Sequence, residues 1–385
     1  VTITLVNADI YTGKEVLTDH AVVIEDGIVR AVSPGYTGPG EVIDLGGRSV
    51  APGFIDVQVN GGGDALFNDS PDKSTVQTIA RAHRRFGTTD LLPTYITGPL
   101  DGMRDAVSAV AAARDGGEAG VLGIHFEGPL ISTAKLGVHD AQFVRQVDDE
   151  LFDVLTSLST GKTLVTLAPE TLPLGVIANL VSKGVLVAAG HTNATAAETE
   201  RAISEGLSLG THVWNAMSGL TSREPGVVGA LLSSPTAWCN FVADGHHISF
   251  GTLAVSLRAA SRAFLVTDAM SPVGGTAGRY RLGQLEVTVR DGRCETDDGT
   301  LAGSALDLAT AVRNLVQKVG IAKDEALRMA STYPAQFLGL HDQRGRIAPG
   351  YPAHLAIFDN EIHVSAVVYG GEVEEFGNSS LAQQR

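Results

Sequence analysis

Two textures of hydrophobic patterning divide the chain. Up to about residue 50, short bursts at 3–6, 21–24 and 28–32 mix β-branched and polar residues in the manner of strands. Asp26-Gly27, between the last two bursts, accepts the left-handed backbone that a tight hairpin needs. The tail returns to this texture at 354–358 and 364–369. The two ends, 1–51 and 345–385, are therefore expected to form one small β-sandwich module.

Between them the pattern changes. Eight apolar runs, at 54–59, 89–95, 121–126, 164–168, 185–189, 209–213, 239–243 and 264–267, alternate with helical stretches. Ser70 reads as the N-cap of the first helix, which Pro71 opens, which carries Ala80, Ala82 and Phe86, and which Gly87 ends. Strands alternating with helices build parallel sheets, and eight such units are what a TIM (β/α)8 barrel requires. The expected architecture is α/β, with the barrel over 52–344; a doubly wound sheet uses the same alternation and is the alternative. After the eighth run, Asp291-Gly292 predicts a second hairpin, and a helix is expected over about 305–319.

Composition narrows the function. With 385 residues, 44% of them hydrophobic, the chain buries a large core. Its 28 basic and 43 acidic side chains leave a net charge of −15, which opposes binding to nucleic acid or to an anionic membrane. An anionic substrate then needs a local cationic pocket. Cys239 and Cys294 lack metal-type spacing and do not form a disulfide framework. With no basic leader followed by a long apolar run at the start, and no apolar stretch of about 18 residues, a soluble cytoplasmic protein is expected.

The residues best suited to chemistry sit at the ends of the apolar runs: Glu127, His191, His212 and Asp268. Taken singly, each suits a hydrogen-bonded buried group or a helix cap equally well. Jointly they fit the rule that C-terminal strand ends of a barrel converge on one face, where active sites lie. One glutamate and two histidines leave a coordination position open, as catalytic zinc sites do, and Asp268 is then the candidate acid and base.

Seven segments carry a likeness to a known family: Ala51-Pro-Gly-Phe-Ile-Asp-Val-Gln-Val-Asn-Gly-Gly, His125-Phe-Glu-Gly-Pro, Gly190-His-Thr-Asn-Ala, Thr211-His-Val-Trp-Asn-Ala-Met, Asp244-Gly-His-His, Val266-Thr-Asp-Ala-Met and Leu301-Ala-Gly-Ser. Over nearly its whole length the chain resembles the N-acetylglucosamine-6-phosphate deacetylases of the amidohydrolase superfamily. The stretch from Gly345 to Asp359 resembles that superfamily's closing signature, with His354 where an aspartate is common.

The resemblance implies deacetylation of N-acetyl-D-glucosamine 6-phosphate to D-glucosamine 6-phosphate and acetate, a step of amino-sugar catabolism and cell-wall recycling. It implies that Glu127, His191 and His212 bind a divalent metal, that Asp268 is the acid and base, and that His139 hydrogen-bonds the acetyl carbonyl. Arg223 and His247 match phosphate contacts. Val138, Asn215, Ala216, Leu301, Ala302 and Gly303 match positions lining the sugar and phosphate site. A homodimer with an active site shared across the interface is implied as well. Where many superfamily members carry His-x-His, this chain has Gln58-Val59-Asn60. Neutral amides are poor zinc ligands, so one ion per subunit is expected, zinc first, with iron, manganese or cobalt accepted by the same donors. The rivals are cleavage of a cyclic amide, deamination of a base, deacetylation of the galactosamine epimer, and a noncatalytic relative that kept the barrel.

Overall fold

The computed structural model describes residues 1–35, 40–118 and 120–377 and the backbone of 382–384; the end of the expected terminal module, 378–381 and 385, lies outside the described residues. Strands Phe54–Val59, Thr88–Ile96, Gly123–Glu127, Lys162–Leu167, Leu186–Ala189, Leu209–Gly210, Trp238–Val242 and Ala263–Val266 stand side by side in chain order. The pairings from the second strand to the eighth are parallel. Most of these strands are buried along nearly their whole length, which is why they read as continuous apolar runs without alternation.

The sheet closes where the eighth strand's continuation meets the first. The Asp268 N–H donates to Gln58 O at 3.1 Å, the Asn60 N–H donates to Ala269 O at 2.8 Å, and Val59 pairs with Ala269. Closure makes this a (β/α)8 barrel and removes the doubly wound alternative. The sixth run is shorter than its apolar stretch suggests, because the backbone turns to positive φ at His212.

Two helix starts differ from expectation. The first helix is Lys73–Arg84, and its cap is Asp72, whose carboxylate accepts from Thr75 N at 2.8 Å and Ser74 Oγ at 2.7 Å. Ser70 lies too far upstream to reach those first-turn amides, and Pro71 precedes the cap. The helix expected from 305 starts at Leu308, capped by Asp307, and passes from Leu308–Asn314 into a π-helical turn over Leu315–Val319.

The chain ends share one sheet of nine strands. Thr2–Tyr11 is its branching point: Ile3 to Val6 pair with Glu41–Asp44, while Asp9 and Ile10 pair with Ser49–Pro52. The C-terminal strand Leu355–Phe358 lies antiparallel to Ser49–Pro52. Ile3, Leu5, Ile24, Val50, Leu355 and Ile357 belong to its core. Both hairpin dipeptides behave as expected, with positive φ at Asp26 and Gly27 and at Asp291 and Gly292, the type I′ geometry.

A further antiparallel sheet, Arg279–Leu282, Leu285–Arg290, Arg293–Thr296 and Leu301–Ser304, was visible in the sequence only as its central hairpin. The chain divides into two compact units, Val1–Asp56 with His83–Asp90 and Asp307–Arg385, and Val57–Ala82 with Leu91–Leu306. Every candidate site residue belongs to the second. Among the described residues, no helix is long and apolar enough to cross a membrane.

Candidate active site

Glu127 is the last residue of the third barrel strand, and its carboxylate is the hub of a buried cluster. Its Oε1 accepts from His212 Nε2 at 2.8 Å, from Gln58 Nε2 at 3.1 Å and from His191 Nε2 at 3.2 Å. Burial alone would raise the Glu127 pKa; the hydrogen bonds from His191 and His212 outweigh it and hold the carboxyl well below its ordinary range. His191 follows the fifth strand and is oriented from behind, its Nδ1 donating to the Lys135 carbonyl at 2.9 Å. Such an outer hydrogen bond fixes ring orientation, as in metal-binding histidines. His212, after the sixth strand, is fixed through its backbone, whose N–H donates to Asn240 Oδ1 at 2.5 Å.

Asp268, after the eighth strand, faces this cluster. Its Oδ1 accepts from Asn60 Nδ2 at 2.7 Å and from Gln58 Nε2 at 3.3 Å. The amides that stand where imidazoles are common thus act as donors, and the Gln58 NH2 bridges two carboxylates that would otherwise repel. His247 Nε2 lies 3.5 Å from Asp268 Oδ2, and His247 Nδ1 donates to Asp244 Oδ2 at 2.7 Å. Burial opposes protonation of His247, but these two carboxylates prevail and raise its pKa to about 9.

His139 sits in the loop after the third strand, its ring centroid 4.1 Å from that of His191, with Nδ1 2.8 Å from Thr97 Oγ1. Burial first, and the charge of His191 second, lower its pKa to about 3, so its imidazole is neutral.

The cluster suits a divalent cation by its own chemistry. A buried, ionised carboxylate with imidazole nitrogens around it is an O,N,N donor set of the kind that holds zinc or a similar ion. His212 Nδ1 is, besides, a buried polar atom without a hydrogen-bond partner among the described residues. The donor atoms of Glu127, His139 and His191 all lie within 4.8 Å of one another, so His139 and His212 both flank the Glu127–His191 pair. They differ in support: His212 is on a strand end in direct contact with Glu127, whereas His139 is on a loop and held by Thr97.

These groups open into a cavity of about 370 Å³. Asn60, Glu127, Val138, His139, His191, His212, Asn215, Ala216, His247, Asp268, Leu301 and Gly303 line it. Three expected residues do not. Gln58 is behind the wall, bonded to both carboxylates. Ala302 is fully buried because side chains alternate along Leu301–Ser304, so it packs with Leu282, Val287 and Cys294 while its neighbours face the cavity. Arg223 is exposed on the turn closed by Thr221 and Glu224. Sequence reasoning missed Ile96, Leu282 and Met270 in the wall, and Thr97 behind it. Lys135 lines the cavity as well. The strand-end rule, applied to the second strand, would have found Thr97.

Residues 49–374 match the amidohydrolase family and residues 4–50 match the NagA composite domain. The chain is 39% identical over 369 residues to the N-acetylgalactosamine-6-phosphate deacetylase of Shewanella sp. (strain ANA-3), covering 93% of this chain and 92% of that protein. Among solved structures, the N-acetylglucosamine-6-phosphate deacetylase of Pasteurella multocida superposes with a TM-score of 0.95 at 36% identity, over 98% of this chain and all of that one. A mutant of the Mycobacterium smegmatis N-acetyl-D-glucosamine-6-phosphate deacetylase, in complex with N-acetyl-D-glucosamine-6-phosphate, superposes with a TM-score of 0.88 at 32% identity, over 97% and 98% of the two chains.

Proposed function

The chain belongs to the amidohydrolase family, and from that premise we propose that it hydrolyses the acetamide of N-acetyl-D-glucosamine 6-phosphate, giving D-glucosamine 6-phosphate and acetate. The observation that carries this reading is the ionised Glu127 between the His191 and His212 Nε2 atoms, beside a second carboxylate that amides hold in place. Glu127, His191 and His212 would hold one divalent ion per subunit, zinc for preference, with iron, manganese or cobalt accepted. Such an ion supplies Lewis-acid polarisation of the acyl oxygen and brings the pKa of water within reach of a carboxylate base.

Asp268 takes a proton from the attacking water and returns it to the amine nitrogen as the C–N bond breaks. Asn60 and Gln58 hold its Oδ1 at 2.7 and 3.3 Å, whereas Oδ2 has the longer 3.5 Å contact with His247 Nε2 and is the oxygen proposed for this transfer. His139 donates a hydrogen bond to the acyl oxygen as negative charge builds there. Within the chain's own cavity, Lys135 and His247 supply positive charge for a phosphate, against the net charge of −15. The exposed Arg223 is proposed to serve a neighbouring subunit of a homodimer, since it is absent from its own cavity wall. A charged sugar phosphate is retained inside cells, which supports a cytoplasmic enzyme.

The 39% identity to the Shewanella protein favours a second reading, deacetylation of the galactosamine epimer. An acetate-release assay on both epimer phosphates, with and without chelator, tests the proposal. Turnover of N-acetyl-D-glucosamine 6-phosphate that chelator abolishes and added metal restores is expected. Release from the galactosamine phosphate alone would replace the first reading by the second, and release from neither would remove both.

A further inference from the structure

We propose that Asn240 is the positioning residue for His212, and that its side-chain oxygen sets how tightly the Glu127, His191 and His212 donors hold a divalent cation. This rests on the metal-site reading above. Asn240 lies on the seventh barrel strand, Trp238–Val242, is fully buried and does not line the cavity, so it acts through another residue.

The two histidines are supported differently. His191 has an outer hydrogen bond on its ring, from Nδ1 to the Lys135 carbonyl at 2.9 Å. His212 Nδ1 has no partner among the described residues, so the direction of that ring has to be set from the backbone. There the strand pairing breaks. Leu209 pairs with Trp238 and Gly210 with Cys239 in a parallel ladder, in which the Trp238 N–H donates to Ser208 O. Continued in register, that ladder would bring the His212 N–H to Asn240 O. The Asn240 carbonyl accepts instead from the Val213 N–H at 3.0 Å, one residue further on, which leaves His212 as the extra residue of a bulge, with φ of 33°.

A bulged residue has no ladder partner for its N–H, and a buried N–H left unpaired costs free energy. Asn240 supplies the partner from its side chain, its Oδ1 accepting from the His212 N–H at 2.5 Å. Only the amide oxygen can meet an N–H, so the donor settles which way the amide is turned. Asn240 Nδ2 is buried and has no hydrogen-bond partner among the described residues, so the oxygen is the atom through which this side chain acts. Across the same residue, His212 O accepts from Asn215 N at 2.9 Å and from Asn215 Nδ2 at 3.1 Å. Held on both sides, the bulge brings His212 Nε2 to 2.8 Å from Glu127 Oε1. Without Asn240 Oδ1 the extra residue can settle back into the ladder, and a slip of one residue turns a strand side chain to the opposite face.

The test compares wild type with Asn240→Leu, Asn240→Ala and Asn240→Asp. Zinc affinity is measured by competition with a chelator, and hydrogen exchange of the 209–217 segment is measured in the metal-free protein. Leucine and alanine remove the acceptor, whereas aspartate keeps an oxygen in the same place. Zinc affinity should fall by about 10- to 100-fold in Asn240→Leu and Asn240→Ala, the range for groups that orient metal ligands, and Asn240→Asp should restore most of it. The 209–217 segment should exchange faster in the first two variants and at the wild-type rate in the third. The alanine variant covers the case in which leucine does not fold. A merely structural asparagine would change the melting temperature of the metal-free protein and leave zinc affinity where it was. Zinc affinity within about twofold of wild type in the folded leucine or alanine variant overturns the proposal, as does an aspartate variant that binds zinc no better than the alanine one. A wild type that takes up no zinc ends the metal-site reading and this proposal with it, whereas unchanged affinity in the variants ends this proposal alone.

Discussion

His191, His212 and Asp268 project from left-handed backbone, with φ of 47°, 33° and 53°. For a residue with a Cβ this conformation costs roughly 1–2 kcal/mol, and it persists where surrounding hydrogen bonds over-determine it. Here it ends each strand abruptly, so that side chains from three distant parts of the chain converge. Asp268→Asn keeps the shape and the bonds from one side but cannot take a proton. Turnover should fall by at least about a hundredfold while bound metal and substrate affinity persist, as steady-state kinetics and metal analysis would show. His247 gives a pH signature. Its pKa is raised to about 9, so the imidazolium between Asp244 and Asp268 survives through neutrality and is lost above pH 9. The stability it contributes is complete below the ordinary value of 6.5 and disappears as pH rises through about 9. KM for the phosphorylated substrate should therefore climb above pH 9, and His247→Gln should abolish that climb.

Element by element, the sequence made the strand ends legible because a buried parallel strand is a run of apolar residues, and the first polar residue after it stands at the barrel mouth. That logic picked out Glu127, His191, His212 and Asp268. Thr97 escaped because the second run was read as ending at 95, whereas the strand continues to Ile96 and places Thr97 just beyond its end. The wall contributed by Leu301–Ser304 escaped for another reason: short, half-exposed antiparallel strands carry a weak pattern. Only the likeness to a family marked 301–303, and alternation explains why Ala302 turns away from the cavity its neighbours line. Gly303 is the sensitive point of that strand. Its φ is +67°, and a Cβ would meet the Met270 side chain at 2.5 Å and Asp268 O at 3.0 Å. Gly303→Ala should cost about 1–3 kcal/mol of stability in urea melts. By pushing on Asp268 it should also lower kcat/KM more than tenfold, by rough analogy with other small misplacements of reacting groups.

For the molecule as a whole, the texture of the two chain ends announced a shared sheet, but not its register. Nothing in the sequence specifies that Leu355–Phe358 pairs antiparallel with Ser49–Pro52, because that depends on strand contacts some 300 residues apart. Nor did sequence explain His354. It is buried, its Nδ1 donates to Asp90 Oδ2 at 2.9 Å, and its ring centroid lies 4.8 Å from that of Tyr369. Arg344 binds the other oxygen of Asp90 at 2.8 Å. Burial would raise the Asp90 pKa, but His354 and Arg344 bring it down to about 2 from 3.8. Its contribution to stability is thus present above pH 3.8 and lost as pH falls through about 2. Asp90→Asn leaves Arg344 without its buried counter-charge and should destabilise the fold by about 3 kcal/mol or more at neutral pH. The gap between variant and wild type in thermal melts should narrow as pH drops toward 2.

Glu127, His191 and His212 are proposed to gather around one cation within reach of Asp268. Anomalous diffraction at the zinc edge, from zinc-soaked crystals of the Asp268→Asn protein, would locate that cation. One peak per chain is expected, at about 2.0–2.2 Å from the Glu127 carboxylate and from Nε2 of both histidines. A peak ligated by His139 in place of His212, a second ion beside Gln58 and Asn60, or no peak in the cavity would rule out this single-ion site.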